Sequence, residues 1–222
     1  MSGRFDGSRA AVAHAARRLA AEGLLIGTAG NVSVLVDGHV AVTATGAALA
    51  EVTLAEVTVV DRDGSVVAGE LEPTSELDLH LGVYASHDAT SVVHTHAPAA
   101  TALSCVLDEL PCIHYQQLLL GGAVPVAPYA TFGTPELASS VVAALEGRSA
   151  ALMANHGSVT TGPGLDKAVE NALLLEWVCR LYLDACVLGT PRSLDTDQQA
   201  AVITAAVERK YGSTRPRTEK ET

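Results

Sequence analysis

Two histidines stand one residue apart inside an apolar run, at His94 and His96 of SVVHTH (91–96). Side chains at positions i and i+2 of a strand leave it on the same face, so both imidazoles are predicted to point the same way. Two such rings are poor core material, because each carries two nitrogens that need partners, but they suit a divalent metal. Similar pairs also occur in surface strands, so this pair alone leaves both interpretations open.

Two further residues could complete a metal site. His156 follows the apolar run AALMA, where a buried strand meets a loop, and Glu76 begins a predicted helix after a polar turn. Three histidines and one glutamate make a suitable zinc donor set, and a displaceable fourth ligand would make the site catalytic. Taken singly, Glu76 could instead interact with the helix dipole, and His156 could be an ordinary turn residue.

Three short polar segments have the composition of anion-binding loops. They are GTAGN (27–31), TATG (43–46) and the pair Thr74-Ser75. Their hydroxyls, amide and backbone N–H groups could hold a phosphate, and the last begins a helix, where the dipole favours an anion. None matches a nucleotide-binding glycine pattern. Read separately, each segment is more often a plain turn.

His80 lies four residues after Glu76 on the same predicted helical face. That spacing allows it to be a fifth metal ligand or to support the Glu76 carboxylate from behind, and we favour the second role. We expect the side chains of His14, His39 and His87 at the surface.

The elements that must position these residues are hairpins together with strands separated by helices. Alternating valines flank the two-residue turn Asp37-Gly38, and a second hairpin turns at 61–64. Helical periodicity is predicted over 8–22, 75–84 (capped by Thr74 or Ser75), from 98, and over 135–145, 165–187 and 196–210. Strands are predicted at 32–36, 40–42, 57–60, 65–67, 91–96, 124–126 and 150–154. This order predicts a three-layer α/β/α fold with a central mixed, largely antiparallel sheet.

The chain of 222 residues has the length of one domain. Apolar residues make up 48% of it but aromatic residues only 4%, so its core must be built from Ala, Val and Leu. There is no internal repeat, linker or second core. We therefore predict a single domain over 1–211, followed by a flexible C-terminal tail over 212–222.

The charge excludes several classes of partner. With 25 Asp+Glu against 14 Lys+Arg the net charge is −11, and no basic block occurs, so neither nucleic acid nor an anionic membrane is an expected partner.

The expected location follows from hydrophobic runs and cysteines. Since no run of about 18 apolar residues occurs, we expect no membrane-spanning segment, and we expect no signal peptide. The four cysteines form no CxxC pair and are expected to be buried thiols of a reducing compartment. The expected location is the cytoplasm.

An ordered set of motifs in this chain resembles the class II aldolase family, which includes zinc-dependent aldolases, epimerases and the adducin head. The motifs are GTAGNVS, TATGAAL, EPTSE, VVHTHAP, IHY, APYATFG, ANHG and KYG, in the family's order and spacing from about residue 8 to residue 212. The resemblance implies an α/β/α fold and a homotetramer. It also implies one Zn²⁺ per subunit near a subunit interface, where another divalent metal would also fit.

The resemblance implies roles for individual residues. The family's zinc ligands fall on Glu76, His94, His96 and His156, the set suggested above. Its phosphate contacts fall on Gly30, Asn31, Thr45, Gly46, Thr74 and Ser75. Its proton-donating tyrosine, supplied by a neighbouring subunit, falls on Tyr115, its aromatic pocket residue on Phe132, and its mobile C-terminal tyrosine on Tyr211.

The activity that the resemblance implies is that of a metal-dependent aldehyde-lyase. It would reversibly cleave a ketose 1-phosphate, such as L-fuculose 1-phosphate or a 5-deoxy-pentulose 1-phosphate, to dihydroxyacetone phosphate and an aldehyde. The alternatives on the same zinc site are a sugar-phosphate 4-epimerase, a decarboxylase and a dehydratase. The epimerases have Asp where this chain has Glu76, whereas the other two keep the Glu. A metal-free scaffold like the adducin head is the non-enzyme alternative, but all four ligands are present here.

Overall fold

In the computed structural model, residues 3–212 of the protein are described, so the tail predicted over 212–222 lies outside the described residues except for Gly212. The described helices are α1 (Asp6–Ala21), α2 (Leu77–Ser86), α3 (Pro98–Ser104), α4 (Pro135–Ala144), α5 (Leu165–Leu188) and α6 (Thr196–Arg209). The described strands are β1 (Asn31–Val36), β2 (His39–Thr43), β3 (Val57–Val60), β4 (Val66–Ala68), β5 (Ser91–Thr95), β6 (Glu109–Leu110), β7 (Val124–Ala127), β8 (Ala150–Met153) and β9 (Gly157–Gly162).

The strands form one sheet in the order β4-β3-β2-β1-β5-β9-β8-β7-β6. The predicted hairpin at Asp37-Gly38 is confirmed: the two residues have φ of 47° and 77°, as a type I′ turn requires, and Val36 pairs with His39 on either side. Neighbouring strands are antiparallel throughout, except that β7 and β8 run parallel. The prediction of a mixed, largely antiparallel sheet is therefore confirmed.

Helices cover both faces of this sheet, and each face has its own apolar core. Successive strand residues alternate between them, since Val92 belongs to the core under α2 and α4 whereas Val93 belongs to the core under α1, α3 and α5. Valine, leucine and alanine make up most of both cores, as the low aromatic content requires. The α/β/α layering expected from the sequence is confirmed.

The start of α2 differs from the prediction, and the difference matters for Glu76. The helix begins at Leu77 rather than at 75, and neither Thr74 nor Ser75 is its cap: Glu76 takes the N-cap position without a side-chain capping bond. The Thr74 hydroxyl instead accepts the backbone N–H of Glu76 at 3.3 Å, which forms a tight turn before the helix. The Glu76 side chain is thereby left available for other contacts.

Four other elements and two cysteines depart from the sequence predictions. Strands β6 and β9 and the 3₁₀ helices at Leu54–Glu56 and Tyr115–Leu120 were not predicted. Cys112 and Cys179 are buried as expected, but Cys105 and Cys186 are exposed. Cys186 lies seven residues after the buried Cys179 on α5, but it belongs to the last turn of that helix, where residues 184 and 186–189 are all exposed. In the described part of the chain, nothing at this end of the helix covers the face on which Cys179 is buried. Among residues 3–212, no helix is both long enough and apolar enough to cross a membrane.

Candidate active site

Three histidine rings meet where the central strand β5 ends and its antiparallel neighbour β9 begins. His94 lies in β5, and His96 is the first residue after that strand. His156 lies in the turn that joins β8 to β9. Strand β9 pairs with β5, with Thr95 opposite Ser158, so the turn is held against the end of β5. The ring centroids are 4.8, 4.9 and 5.0 Å apart in the three pairs. The spacing argument and the structure thus bring the same three histidines together.

The ring nitrogens of this cluster face one another. His94 Nδ1 lies 3.0 Å from the Ser158 carbonyl oxygen. Because a carbonyl oxygen only accepts, Nδ1 must carry a proton and donate it. The other ring nitrogen, Nε2, is directed into the cluster. That Nε2 is 3.0 Å from Nε2 of His96. One ligand atom of each of the three histidines lies within 4.8 Å of the others. Two facing lone pairs repel unless a proton or a cation lies between them, so this arrangement suits a divalent metal.

Glu76 lies against the cluster. Its Oε2 is 3.1 Å from His94 Nε2 and accepts the Asn31 Nδ2–H at 2.9 Å. Its Oε1 is 3.5 Å from His156 Nε2 and, among the described residues, has no hydrogen-bond partner although it is buried. A buried carboxylate oxygen without a partner is costly unless another group binds it. Together with the three imidazoles, this oxygen fits a bound divalent cation.

The surroundings keep three of these side chains in the states that metal binding needs. Burial lowers the pKa of His96 to about 4, helped by His94 and His156, and burial likewise lowers the pKa of His156. Burial alone raises the pKa of Glu76, but its hydrogen bond and charge interaction with His94 outweigh this, so its pKa lies well below the ordinary value. Neutral rings at His96 and His156 and an ionised carboxylate at Glu76 are the metal-binding forms of these three residues.

A cavity of about 310 Å³ opens beside the cluster and is lined by Glu76, His96 and His156. Every residue assigned to phosphate from the resemblance also lines it: Gly30, Asn31, Thr45, Gly46, Thr74 and Ser75. The backbone N–H groups of Thr45 and Thr74 are bonded to carbonyls within the protein. Among the described residues, no hydrogen bond involves the backbone N–H of Gly46 or Ser75. These N–H groups and the threonine hydroxyls are suitable donors for an anion.

Aromatic residues stand at the mouth of this cavity. Phe132, which the sequence assigned to the pocket, lines it and is 65% exposed, as is Tyr129. Tyr129 was not singled out from the sequence, nor were Thr28 and Asn155, although all three lie inside motifs that were. The motifs therefore indicated the segments that form the cavity. Which residues of each segment line the cavity is known only from the folded structure.

Tyr115 and Tyr211 do not line this cavity. Their hydroxyls lie 3.1 Å apart, beside a separate apolar groove that includes Leu119, Ile203 and Val207. The hydrogen bond to Tyr211 raises the pKa of Tyr115. Within this chain the structure therefore brings these two tyrosines to each other and not to the histidine cluster.

His80 does not contact the Glu76 carboxylate through a hydrogen bond of its own. Its Nε2 lies 2.5 Å from the Asn31 Oδ1, and Asn31 in turn donates to Glu76. His80 is completely buried, and burial lowers its pKa to about 3. The expected support of Glu76 is thus indirect, through Asn31.

Comparison with known proteins gives one family and close relatives over nearly the whole chain. The model of the Class II Aldolase and Adducin N-terminal domain matches residues 10–183. A 5-methylthioribulose-1-phosphate/5-deoxyribulose-1-phosphate aldolase of Rhodospirillum rubrum is 36% identical over 205 residues, which cover 90% of this chain and 92% of the relative. An L-fuculose phosphate aldolase of Escherichia coli K12 is 39% identical over 183 residues, covering 82% and 85%.

Solved structures agree with these relatives. A structure of L-fuculose 1-phosphate aldolase superposes with a TM-score of 0.87 at 32% identity, covering 95% of this chain and 99% of that one.

Proposed function

Because the chain belongs to the family of the Class II Aldolase and Adducin N-terminal domain, we propose that it is a metal-dependent aldolase that reversibly cleaves a ketose 1-phosphate to dihydroxyacetone phosphate and an aldehyde. One observation carries this proposal: a single cavity is lined by Glu76, His96 and His156 and also by residues of the three segments that we predicted to bind phosphate. A phosphorylated substrate held by the loops would have its reacting carbons beside the cluster. The epimerase, decarboxylase and dehydratase alternatives are not favoured, since the relatives described above are named as aldolases.

His94, His96 and His156 would hold the metal, with Glu76 as the ligand that substrate can displace. Nitrogen donors of this kind favour Zn²⁺, and we assign one zinc ion to each subunit. When bound, the ion supplies positive charge that stabilises the negative charge left on the substrate when the carbon–carbon bond breaks. The His94 Nδ1–H bond to the Ser158 carbonyl holds that ring in the orientation which metal binding needs.

Glu76 would move the proton at the dihydroxyacetone carbon. Its Oε1 has no hydrogen-bond partner among the described residues, and the residue lines the cavity. Its other oxygen is anchored by Asn31, so the carboxylate has one fixed and one available oxygen. A positioned carboxylate of this kind can act as the general base that removes a proton from carbon next to a carbonyl.

The phosphate would be held by neutral donors. Thr45, Thr74 and Ser75 offer hydroxyls, and Gly30 and Gly46 take φ of 94° and 74°, which turns the loop backbone around the cavity. Because no cationic side chain is needed, the net charge of −11 does not oppose binding. Holding the substrate in register by its phosphate lowers the entropic part of the barrier.

Tyr115 would act on the aldehyde oxygen from a neighbouring subunit. It does not line the cavity of its own chain, and it stands beside an exposed apolar groove in which Val207 is 74% exposed and Leu119 51%. Burial of that groove against another copy would drive association. We assign a homotetramer, with Tyr211 and Phe132 contributing to the aldehyde pocket and with a cytoplasmic location.

The substrate and the reaction are tested together by a coupled assay for dihydroxyacetone phosphate. L-Fuculose 1-phosphate and 5-deoxyribulose 1-phosphate are the two substrates to compare, with zinc-loaded protein. Release from at least one of them is expected, with loss in His156→Ala and no loss in the matched control His14→Ala, whose histidine is exposed on α1. If the zinc-loaded protein releases no dihydroxyacetone phosphate from either substrate, the proposed function is wrong.

A further inference from the structure

A row of buried polar side chains runs away from the cavity between α2 and β1. Glu76 takes the N-cap position of α2, and His80 and Tyr84 follow it at i+4 and i+8 on one face of that helix. Asn31 and Ser33 lie at i and i+2 of β1. All five are at least 93% buried. Their contacts alternate between the helix and the strand, and the row ends at the Tyr84 hydroxyl.

Each contact in this row is a hydrogen bond. Asn31 Nδ2 is 2.9 Å from Glu76 Oε2, and Asn31 Oδ1 is 2.5 Å from His80 Nε2. His80 Nδ1 is 2.6 Å from Ser33 Oγ. Ser33 Oγ is in turn 2.6 Å from the Tyr84 hydroxyl oxygen. Of these five residues, only Glu76 keeps a buried polar side-chain atom without a partner.

The donor and the acceptor of every bond follow from the first one. A carboxylate only accepts, so the Asn31 amide must direct its NH₂ group to Glu76 and its carbonyl to His80. His80 must then donate from Nε2, and because burial keeps the ring neutral, its Nδ1 accepts from the Ser33 hydroxyl. Ser33 accepts in turn from Tyr84. The row is therefore polarised in one direction, from the tyrosine to the carboxylate.

From this geometry we propose that His80, Ser33 and Tyr84 are positioning residues for the proposed aldolase reaction: they fix the Asn31 amide so that it can only donate to Glu76. This inference rests on the role proposed for Glu76. Without the His80 donor, the buried Asn31 carbonyl has lost its hydrogen bond, so the amide is held at one end only and no longer fixes the Glu76 carboxylate in place. Glu76 Oε2 is only 3.1 Å from His94 Nε2, so a shift of the carboxylate would also disturb the metal site.

The tautomer of His80 tests the polarity directly. Long-range ¹H–¹⁵N correlation spectra of protein labelled with ¹⁵N-histidine distinguish protonated from unprotonated ring nitrogens, and the His80 signals are identified by their loss in His80→Gln. The expected result is a neutral His80 with the proton on Nε2, in both the zinc-loaded and the zinc-free protein. A proton on Nδ1 alone, or on both nitrogens, would overturn the proposal.

Variants test whether the polarity matters for the site. His80→Leu removes the donor to Asn31, and we expect kcat and zinc affinity, measured by competition with a chromophoric chelator, to fall about tenfold or more, with KM changing less. His80→Gln places an amide N–H near the former Nε2 and is expected to recover most of both losses. The matched control is His87→Gln. His87 directly follows the same helix but lies outside the row, and its Nε2 is 3.0 Å from the Val142 carbonyl oxygen.

The outcomes separate this inference from the proposed function. A folded His80→Leu with wild-type kcat and zinc affinity, or a His80→Gln as impaired as His80→Leu, would contradict a positioning role. If His80→Leu does not fold, the wild-type tautomer decides the matter alone. A wild-type protein that is inactive on both sugar phosphates would overturn the proposed function. Zinc affinity and the His80 tautomer are measured without substrate, so they would still test the positioning role of the row.

Discussion

At the scale of single residues, Glu76 has the most specific environment in the cavity. One carboxylate oxygen is shared between Asn31 and His94, and the other is buried without a hydrogen-bond partner among the described residues. A purely structural carboxylate would have both oxygens satisfied, because a buried unpaired oxygen costs about 1–3 kcal/mol. This asymmetry is what we expect of a group that must release one contact when a ligand arrives.

Replacing Glu76 by glutamine should therefore abolish turnover without emptying the metal site. We expect Glu76→Gln to lower kcat by about 10²- to 10⁴-fold, because the general base is lost, while three imidazoles still bind zinc. Steady-state assays and metal analysis of the same preparation measure both quantities. Asp78→Asn, an exposed acid in the first turn of the same helix, is the control and should keep wild-type turnover. Undiminished turnover in Glu76→Gln would remove Glu76 from the mechanism.

At the scale of elements, the site depends on how closely β9 approaches β5. A Cβ atom at Gly157 would lie 2.4 Å from the Thr95 carbonyl oxygen, and 3.3 Å from ring atoms of both His94 and His96. The two strands could not approach so closely with any larger residue at this position. The glycine that begins β9 therefore helps to set the spacing of the histidine rings.

Gly157→Ala should push β9 away from β5 and loosen the metal site. We expect a loss of about 1–3 kcal/mol of unfolding free energy from this overpacking, together with weaker zinc binding. Thermal unfolding and chelator competition measure the two effects. Gly164→Ala is the matched control, because Gly164 has extended backbone with a φ of 171° and no atom within 4 Å of a Cβ placed there. Equal melting temperatures and zinc affinities in the two variants would show that the close approach is unimportant.

The same elements show how far the sequence alone predicts this structure. The Asp37-Gly38 hairpin, the long helices and the alternating valine strands follow from local periodicity, and they were predicted correctly. Strand β9 was missed because GSVTTG starts and ends with glycine and its residues are buried on both faces, so no alternation marks it. Its burial comes from sheet neighbours far along the chain, which local patterns do not show.

For the candidate site, the sequence indicated which histidines cluster but not what supports them. Spacing placed His80 on the face of Glu76, yet its actual partners, Asn31 and Ser33, lie on a strand more than 40 residues earlier. Their meeting depends on how α2 packs on β1, which is a tertiary contact. The residue roles assigned from the family resemblance stay predictions until they are tested.

At the scale of the whole molecule, one chain has an incomplete site if Tyr115 is the proton donor. The tyrosine is bonded to Tyr211 at the side of an apolar groove and does not line the cavity. In a ring of subunits related by a heterologous interface, each copy can supply its tyrosine to the next. The proposed homotetramer would then be a requirement for catalysis rather than only a means of stabilisation.

Mixed oligomers test this arrangement. Tyr115→Phe and Glu76→Gln should each be nearly inactive alone, but subunits mixed by unfolding and refolding should regain activity, because some sites combine an intact Glu76 with an intact Tyr115 from the neighbour. Random mixing in equal amounts predicts roughly a quarter of the wild-type turnover. Wild-type protein taken through the same treatment is the control for recovery. A mixture no more active than the average of its two components would place Tyr115 outside the neighbouring site.

The central claim is that a metal held by His94, His96 and His156 makes the carbon–carbon cleavage possible, and a zinc titration tests it most directly. Protein stripped with a chelator is titrated with Zn²⁺ while dihydroxyacetone phosphate release is followed from the better substrate. We predict negligible release from the stripped protein and a linear recovery that saturates near one zinc ion per chain. Full activity in the stripped protein, or no recovery at any amount of zinc, would contradict the account.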